Sequence, residues 1–88
     1  MNSEIGRYIK YSFIIPAYNA ERVIKRCVES IQKIQVRNLE IIVVNDGSVD
    51  NTKEYVQLLI KNDARIRLIN IDNGGVSNAR NIGVRNAV

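Results

Sequence analysis

Leu39-Glu40-Ile41-Ile42-Val43-Val44-Asn45-Asp46-Gly47-Ser48-Val49-Asp50-Asn51-Thr52 is the stretch that decides the fold. Residues 39–44 form a nearly continuous β-branched run, which suits a strand covered on both faces, as in a parallel sheet. Asn45 to Asp50 is a turn, rich in Asn, Asp, Gly and Ser. A helix follows from about Thr52 to Lys61. Asp50 or Asn51 caps it, and Tyr55, Val56, Leu59 and Ile60 point inward.

The same alternation extends outward on both sides. Upstream, Tyr11-Ser12-Phe13-Ile14-Ile15 reads as a strand that Pro16 ends, because proline lacks an amide hydrogen and biases its predecessor to extended geometry. From Glu21 to Ile34, apolar Val23, Ile24, Cys27, Val28, Ile31 and Ile34 trace one helical face. Asn19 is the expected N-cap, with Glu21 and Arg22 in the first turn. Downstream, Ile66, Leu68, Ile69 and Ile71 mark a third strand and Asp72 to Gly75 another turn. A third helix begins near Ser77 and carries Ala79, Ile82 and Val88 on its apolar side. The order β-α-β-α-β-α predicts an α/β, three-layer α-β-α fold with a mainly parallel sheet and right-handed crossovers. Residues 1–10 read as an N-terminal extension and 11–88 as one incomplete domain.

Composition narrows the function. The chain has 88 residues, enough for one small domain, and its 45% hydrophobic and 25% charged content excludes disorder. The net charge of +4 suits a phosphate-bearing partner without naming it. Arg22, Lys25 and Arg26 cluster, and a helix places them on its solvent side. A nucleic-acid binder is disfavoured by one Phe, no Trp and no basic stripe interleaved with aromatics. Cys27 is the only cysteine, so neither an internal disulfide nor a cysteine metal cluster is possible, and its apolar neighbours predict a buried thiol. Histidine, the usual general base, is absent. No apolar run approaches the roughly 20 residues of a membrane span and no signal peptide opens the chain, so the expected location is cytoplasmic.

In a parallel α/β sheet, ligands bind at the carboxyl ends of the strands. That rule selects Pro16–Asn19, Asn45–Asp50 and Asp72–Gly75. In the first, Tyr18 offers a flat face for a base. A structural reading of the same residues is a strand stop, a packed ring and a helix cap. In the second, Asp46 stands at a strand tip as an acceptor for a ligand's N–H or ribose hydroxyls, and Gly47 keeps the approach open. Ser48, Asp50 and Thr52 suit turn and cap chemistry. A calcium loop would need glycine and glutamate where Asn51 and Gln57 stand, so that reading fails. In the third, Gly74 and Gly75 before a helix expose amides to a phosphate, and Arg80 one turn on adds a charged fork. A tight turn with a surface arginine is the alternative. Neither a dinucleotide fingerprint nor a Walker loop is present, which disfavours oxidoreductase and P-loop readings.

Taken in order, Phe13-Ile-Ile-Pro-Ala-Tyr-Asn19, Ile42-Val-Val-Asn-Asp-Gly-Ser-Val-Asp-Asn-Thr52 and Asn73-Gly-Gly-Val-Ser-Asn-Ala-Arg-Asn-Ile-Gly83 resemble the family 2 glycosyltransferases of GT-A fold. The resemblance covers nearly the whole chain from Ser12. It implies a nucleoside-diphosphate sugar donor, most often a UDP-sugar, and transfer to an acceptor hydroxyl with inversion. By it, Pro16, Ala17 and Tyr18 cradle the base beside Asn19, Asp46 takes the uracil N–H with Gly47 next to it, and Gly75 and Arg80 lie toward ribose and diphosphate. The family often has aspartate where Asn45 stands. Its Mg²⁺- or Mn²⁺-binding Asp-x-Asp motif and its catalytic carboxylate have no counterpart here, so the chain reads as an N-terminal portion, inactive alone and membrane-associated only through other segments. The family places the first strand inside its sheet. Truncation therefore leaves Phe13, Ile14 and Ile15 on an open edge, and self-association is expected. A non-catalytic nucleotide-sugar-binding module is the alternative function.

Overall fold

The computed structural model describes residues 10–87. Residues 1–9, which make up nearly all of the expected extension, and Val88 lie outside the described residues. The elements run β1 (Tyr11–Ala17), α1 (Ile24–Gln32), β2 (Leu39–Asp46), α2 (Thr52–Asn62), β3 (Ile66–Ile71) and α3 (Val76–Asn86). The three strands are parallel in the order β1-β2-β3, with Ala17 opposite Asn45 and Asp46 opposite Ile71.

Every residue of β2 is buried, as its β-branched run implies. Alternate residues face opposite layers. Ile41 and Val43 join Ala17, Ile66, Ile24 and Val28 of α1, and Val56 of α2, in one core. Ile42 and Val44 meet Ala79 of α3, with Ile14, Ile69 and Ile82 packed against them. Each fully covered aliphatic side chain contributes about 1.5–3 kcal/mol. The sheet thus carries α1 and α2 on one face and α3 on the other, the three-layer arrangement expected. Among the described residues no helix is long and apolar enough to cross a membrane.

Two residues set this packing. Gly83 of α3 lies so close to the sheet that a Cβ there would sit 2.3 Å from Ile14 Cγ2 and 3.3 Å from Val44 Cγ2. Glu40 is buried within the apolar run and satisfied at the amino end of the sheet. It accepts from Ser12 Oγ at 2.8 Å and from Arg67 at 3.1 Å, with Lys10 Nζ at 3.6 Å. Arg67 also donates to the Asn86 carbonyl at 2.7 Å, so one guanidinium serves both the carboxylate and the end of α3.

Local details depart from the sequence reading. Pro16 does not end β1, which continues to Ala17. Tyr11 N–H bonds the Asn38 carbonyl beside β2, so by alternation the nitrogen of Pro16 faces the open edge, where a missing donor costs no ladder bond. Pairing with β1 carries β2 through Asn45 and pairing with β3 carries it through Asp46, so the turn begins at Gly47 and not at Asn45.

Asn19 does not cap α1. The Ala20 carbonyl accepts from Val23 and Ile24, residues 21–23 form a turn, and the helix proper starts at Ile24. At its other end α1 stops at Gln32, where Ile34 N–H reaches back only three residues to the Ile31 carbonyl. Val23 and Ile34 therefore fall outside the helix and are exposed. Cys27 and Tyr55, both expected inside, are exposed too, because each sits at the margin of a stripe centred on Val28 or Val56. Arg22, Lys25 and Arg26 face solvent as expected.

Candidate functional site

The loops after β1, β2 and β3 converge at the carboxyl end of the sheet. Pro16, Ala17 and Tyr18 from the first, Asp46 from the second and Val76 from the third line a cleft of about 70 Å³. Tyr18 is 52% exposed at its rim, whereas Asp46 is 4% exposed at its floor. Pro16, Ala17, Tyr18 and Asp46, all selected from sequence, are brought together. Arg80 is exposed on α3 and makes no ion pair among the described residues.

Asp46 does more than face the cleft. Its Oδ1 accepts from Gly74 N–H at 2.7 Å and its Oδ2 from Gly75 N–H at 3.0 Å. The carboxylate therefore holds the β3–α3 loop, and the amides read as a phosphate cradle already have an anionic partner. Each carboxylate oxygen retains lone-pair capacity toward the cleft. Gly75, the N-cap of α3, has a φ of 91°, and a Cβ there would meet nothing within 4 Å.

Gly47 plays a different part from keeping an approach open. Its φ is 72°, and a Cβ on it would lie 2.8 Å from the Asn73 nitrogen. The missing side chain lets the third loop pack directly on the second. Behind it, Asn45 Nδ2 donates to Asn70 Oδ1 at 2.9 Å, joining the register partners at the ends of β2 and β3. This amide pair was not anticipated.

A second set of bonds ties the first loop to the second, and the sequence reading missed it. Asn19, at a left-handed φ of 49°, donates its N–H to Ser48 Oγ and accepts Val49 N–H on its Oδ1, both at 2.9 Å. Ala20 N–H donates to Thr52 Oγ1 at 2.8 Å, and the Thr52 hydroxyl donates to Asp50 Oδ1. Glu21 N–H reaches Asp50 Oδ2 at 3.2 Å, while Asn51 N–H returns to Glu21 Oε2 at 3.0 Å. Asp50 also accepts the Thr52 N–H, which makes it the side chain that closes the start of α2. Burial raises the Asp50 carboxyl. Hydrogen bonds from the Thr52 hydroxyl and from the Thr52 and Glu21 amides outweigh it and leave the group below its ordinary range. The register offered a signal: Ala17 pairs with Asn45, so residues two and three beyond each strand end had to meet.

Among the described residues no three His, Cys, Asp or Glu side chains gather to hold a metal. The strand-end carboxylates, Asp46 and Asp50, are taken up by backbone amides and the Thr52 hydroxyl and do not make a divalent-cation site.

The fold and the convergent strand-end loops define a GT-A type α/β domain. The chain belongs to glycosyl transferase family 2, whose sequence pattern matches residues 12–88. It is 45% identical over 76 residues to the uncharacterized glycosyltransferase EpsJ of Bacillus subtilis, covering 86% of this chain and 22% of that protein. It is 42% identical over 83 residues to the hyaluronan synthase of Pasteurella multocida, covering 94% of this chain and 8% of that protein. The crystal structure of S. aureus TarS 1-349 in complex with UDP superposes with a TM-score of 0.80 at 28% identity, covering 90% of this chain and 24% of that one. The chain thus spans a quarter or less of each of these proteins.

Proposed function

We propose that this chain forms the donor-nucleotide half of a glycosyltransferase that moves a sugar from a UDP-sugar to an acceptor hydroxyl with inversion. The observation that carries the proposal is the cleft lined by both the half-exposed Tyr18 and the buried Asp46, one from each of two adjacent strand ends. A uracil ring stacks on Tyr18 and donates its N3–H to a free lone pair of Asp46. Arg80, exposed on α3, extends toward the diphosphate. In the transfer itself the acceptor oxygen bonds the sugar's anomeric carbon as the bond to the diphosphate breaks, and the acceptor proton passes to a base. Neither that base nor a set of side chains that would hold the family's divalent cation is found among the described residues. The similarity to a hyaluronan synthase supports polysaccharide assembly as the setting. The open β1 edge supports self-association of the isolated chain, which light scattering checks.

An amide NMR titration of the chain with UDP, against ADP and GDP, tests the donor reading. UDP should selectively shift Tyr18, Asp46 and Gly75, and Tyr18→Ala should weaken binding about tenfold, the ordinary worth of one stacked base. A well-dispersed spectrum that UDP does not perturb, or perturbs no more than ADP does, sinks it.

A further inference from the structure

We propose that Thr52 is a positioning residue for the donor site, acting through the loop that carries Tyr18; the proposal rests on the donor reading above. Thr52 is wholly buried and lines no part of the cleft. Its hydroxyl nevertheless connects the two loops that do. The hydroxyl proton is committed to Asp50 Oδ1, which turns an oxygen lone pair to the Ala20 N–H at 2.8 Å. Asp50, through its other oxygen, takes the next amide, that of Glu21. Consecutive backbone donors just beyond Tyr18 are therefore fixed by one Asp50–Thr52 pair at the start of α2.

The first loop needs such a hold. It leaves an edge strand, so β2 supports it on one side only. It passes through Asn19 at positive φ, a conformation that non-glycine residues adopt when the surroundings demand it. Tyr18 is half exposed and lies immediately before that residue, with little packing of its own. The ring's position in the cleft is thus set by the hydrogen bonds of residues 19–21 more than by burial. Losing the Thr52 hydroxyl frees Ala20 N–H and removes one of the bonds that hold Asp50, and the loop spends most of its time away from the binding geometry.

Thr52→Val keeps the shape and removes the hydroxyl, whereas Thr52→Ser keeps the hydroxyl. Ile66→Val serves as the stability control, since Ile66 is buried at the amino end of β3, opposite the cleft. UDP affinity is measured by calorimetry well below every melting temperature, and exchange of the Ala20 amide by NMR. Thr52→Val should weaken UDP about tenfold, the population shift that one net hydrogen bond supports, with Thr52→Ser and Ile66→Val within about twofold of wild type. The Ala20 amide should exchange faster in Thr52→Val alone. Unchanged UDP affinity in Thr52→Val overturns the proposal, as does an equal loss in Ile66→Val. If the wild-type chain fails to bind UDP, the donor reading falls, and the Ala20 amide still decides the clamp: equal exchange in Thr52→Val and wild type overturns it.

Discussion

Replacing Asp46 with alanine should unfold the chain more readily, whether or not any nucleotide is present. The side chain is 4% exposed and accepts Gly74 N–H at 2.7 Å and Gly75 N–H at 3.0 Å. A hydrogen bond to a charged group contributes about 1.5–3 kcal/mol net. Gly74 and Gly75 are exposed, so water can reach both amides once the carboxylate is gone, and the lower end of that range applies to each. The expected loss is about 2–4 kcal/mol, against a total of roughly 4–13 kcal/mol for a domain of this length. Asp46→Asn keeps one acceptor oxygen but turns an NH₂ group toward the other glycine amide, so it should recover less than half of the loss. Urea unfolding followed by circular dichroism gives both values from the midpoint and slope. An Asp46→Ala chain within about 0.5 kcal/mol of wild type would refute the claim that this carboxylate holds the third loop. The result bears on function directly. Any UDP affinity lost in Asp46→Ala divides into a base contact and a disordered Gly74–Gly75 loop, and the glycine amide shifts of the free protein measure the second share.

Three further outcomes follow from the geometry. Gly47→Ala should destabilise more than Gly75→Ala: both carry positive φ, but only at Gly47 would a Cβ meet backbone, 2.8 Å from the Asn73 nitrogen. Paired urea melts check the order. Gly83→Ala should cost about 1–2 kcal/mol, overpacking against Ile14 outweighing the helix-propensity gain of about 1 kcal/mol, and a raised melting temperature would contradict this. The Asp63 carboxyl is held far below its ordinary range by hydrogen bonds from Arg65, against opposing burial and with Gln32 assisting. A depressed carboxyl stabilises the fold above the unfolded value near 4 and loses that contribution as the pH falls toward the folded value, so wild type and Asp63→Asn should differ in melting temperature at pH about 7 and converge toward pH about 2. A constant difference across that range would count against it.

The parts of this fold that are legible in the sequence are those that periodicity encodes. The buried run at residues 39–44, the helix starting at Thr52 and the third strand at Ile66–Ile71 stand where the pattern puts them. Helix margins are less legible. Cys27 and Tyr55 sit at stripe edges, where a rotation of a few tens of degrees separates covered from exposed, and only the neighbouring element fixes that rotation. Pro16 inside β1 shows the same dependence, since its tolerance turns on which side of the strand lacks a partner. Glu40 could not be read as buried, because its partners Ser12 and Arg67 lie on two other strands.

At the site the illegible part has a common physical form. Ser48, Asp50 and Thr52 look like turn and cap residues because they are such residues, closing the start of α2. In a parallel sheet, however, a turn after one strand lies beside the turn after its neighbour, and cap side chains have unsatisfied backbone donors within reach on both. Asp50 and Thr52 use that proximity to serve α2 with one hydrogen bond and the Tyr18 loop with the others. Asp46 does the same toward the third loop. Residues assigned separately to capping, turning and ligand contact therefore form one cross-linked rim. On the donor reading proposed above, a nucleotide entering the cleft would meet loops already tied to one another, so that little binding energy would be spent on ordering them.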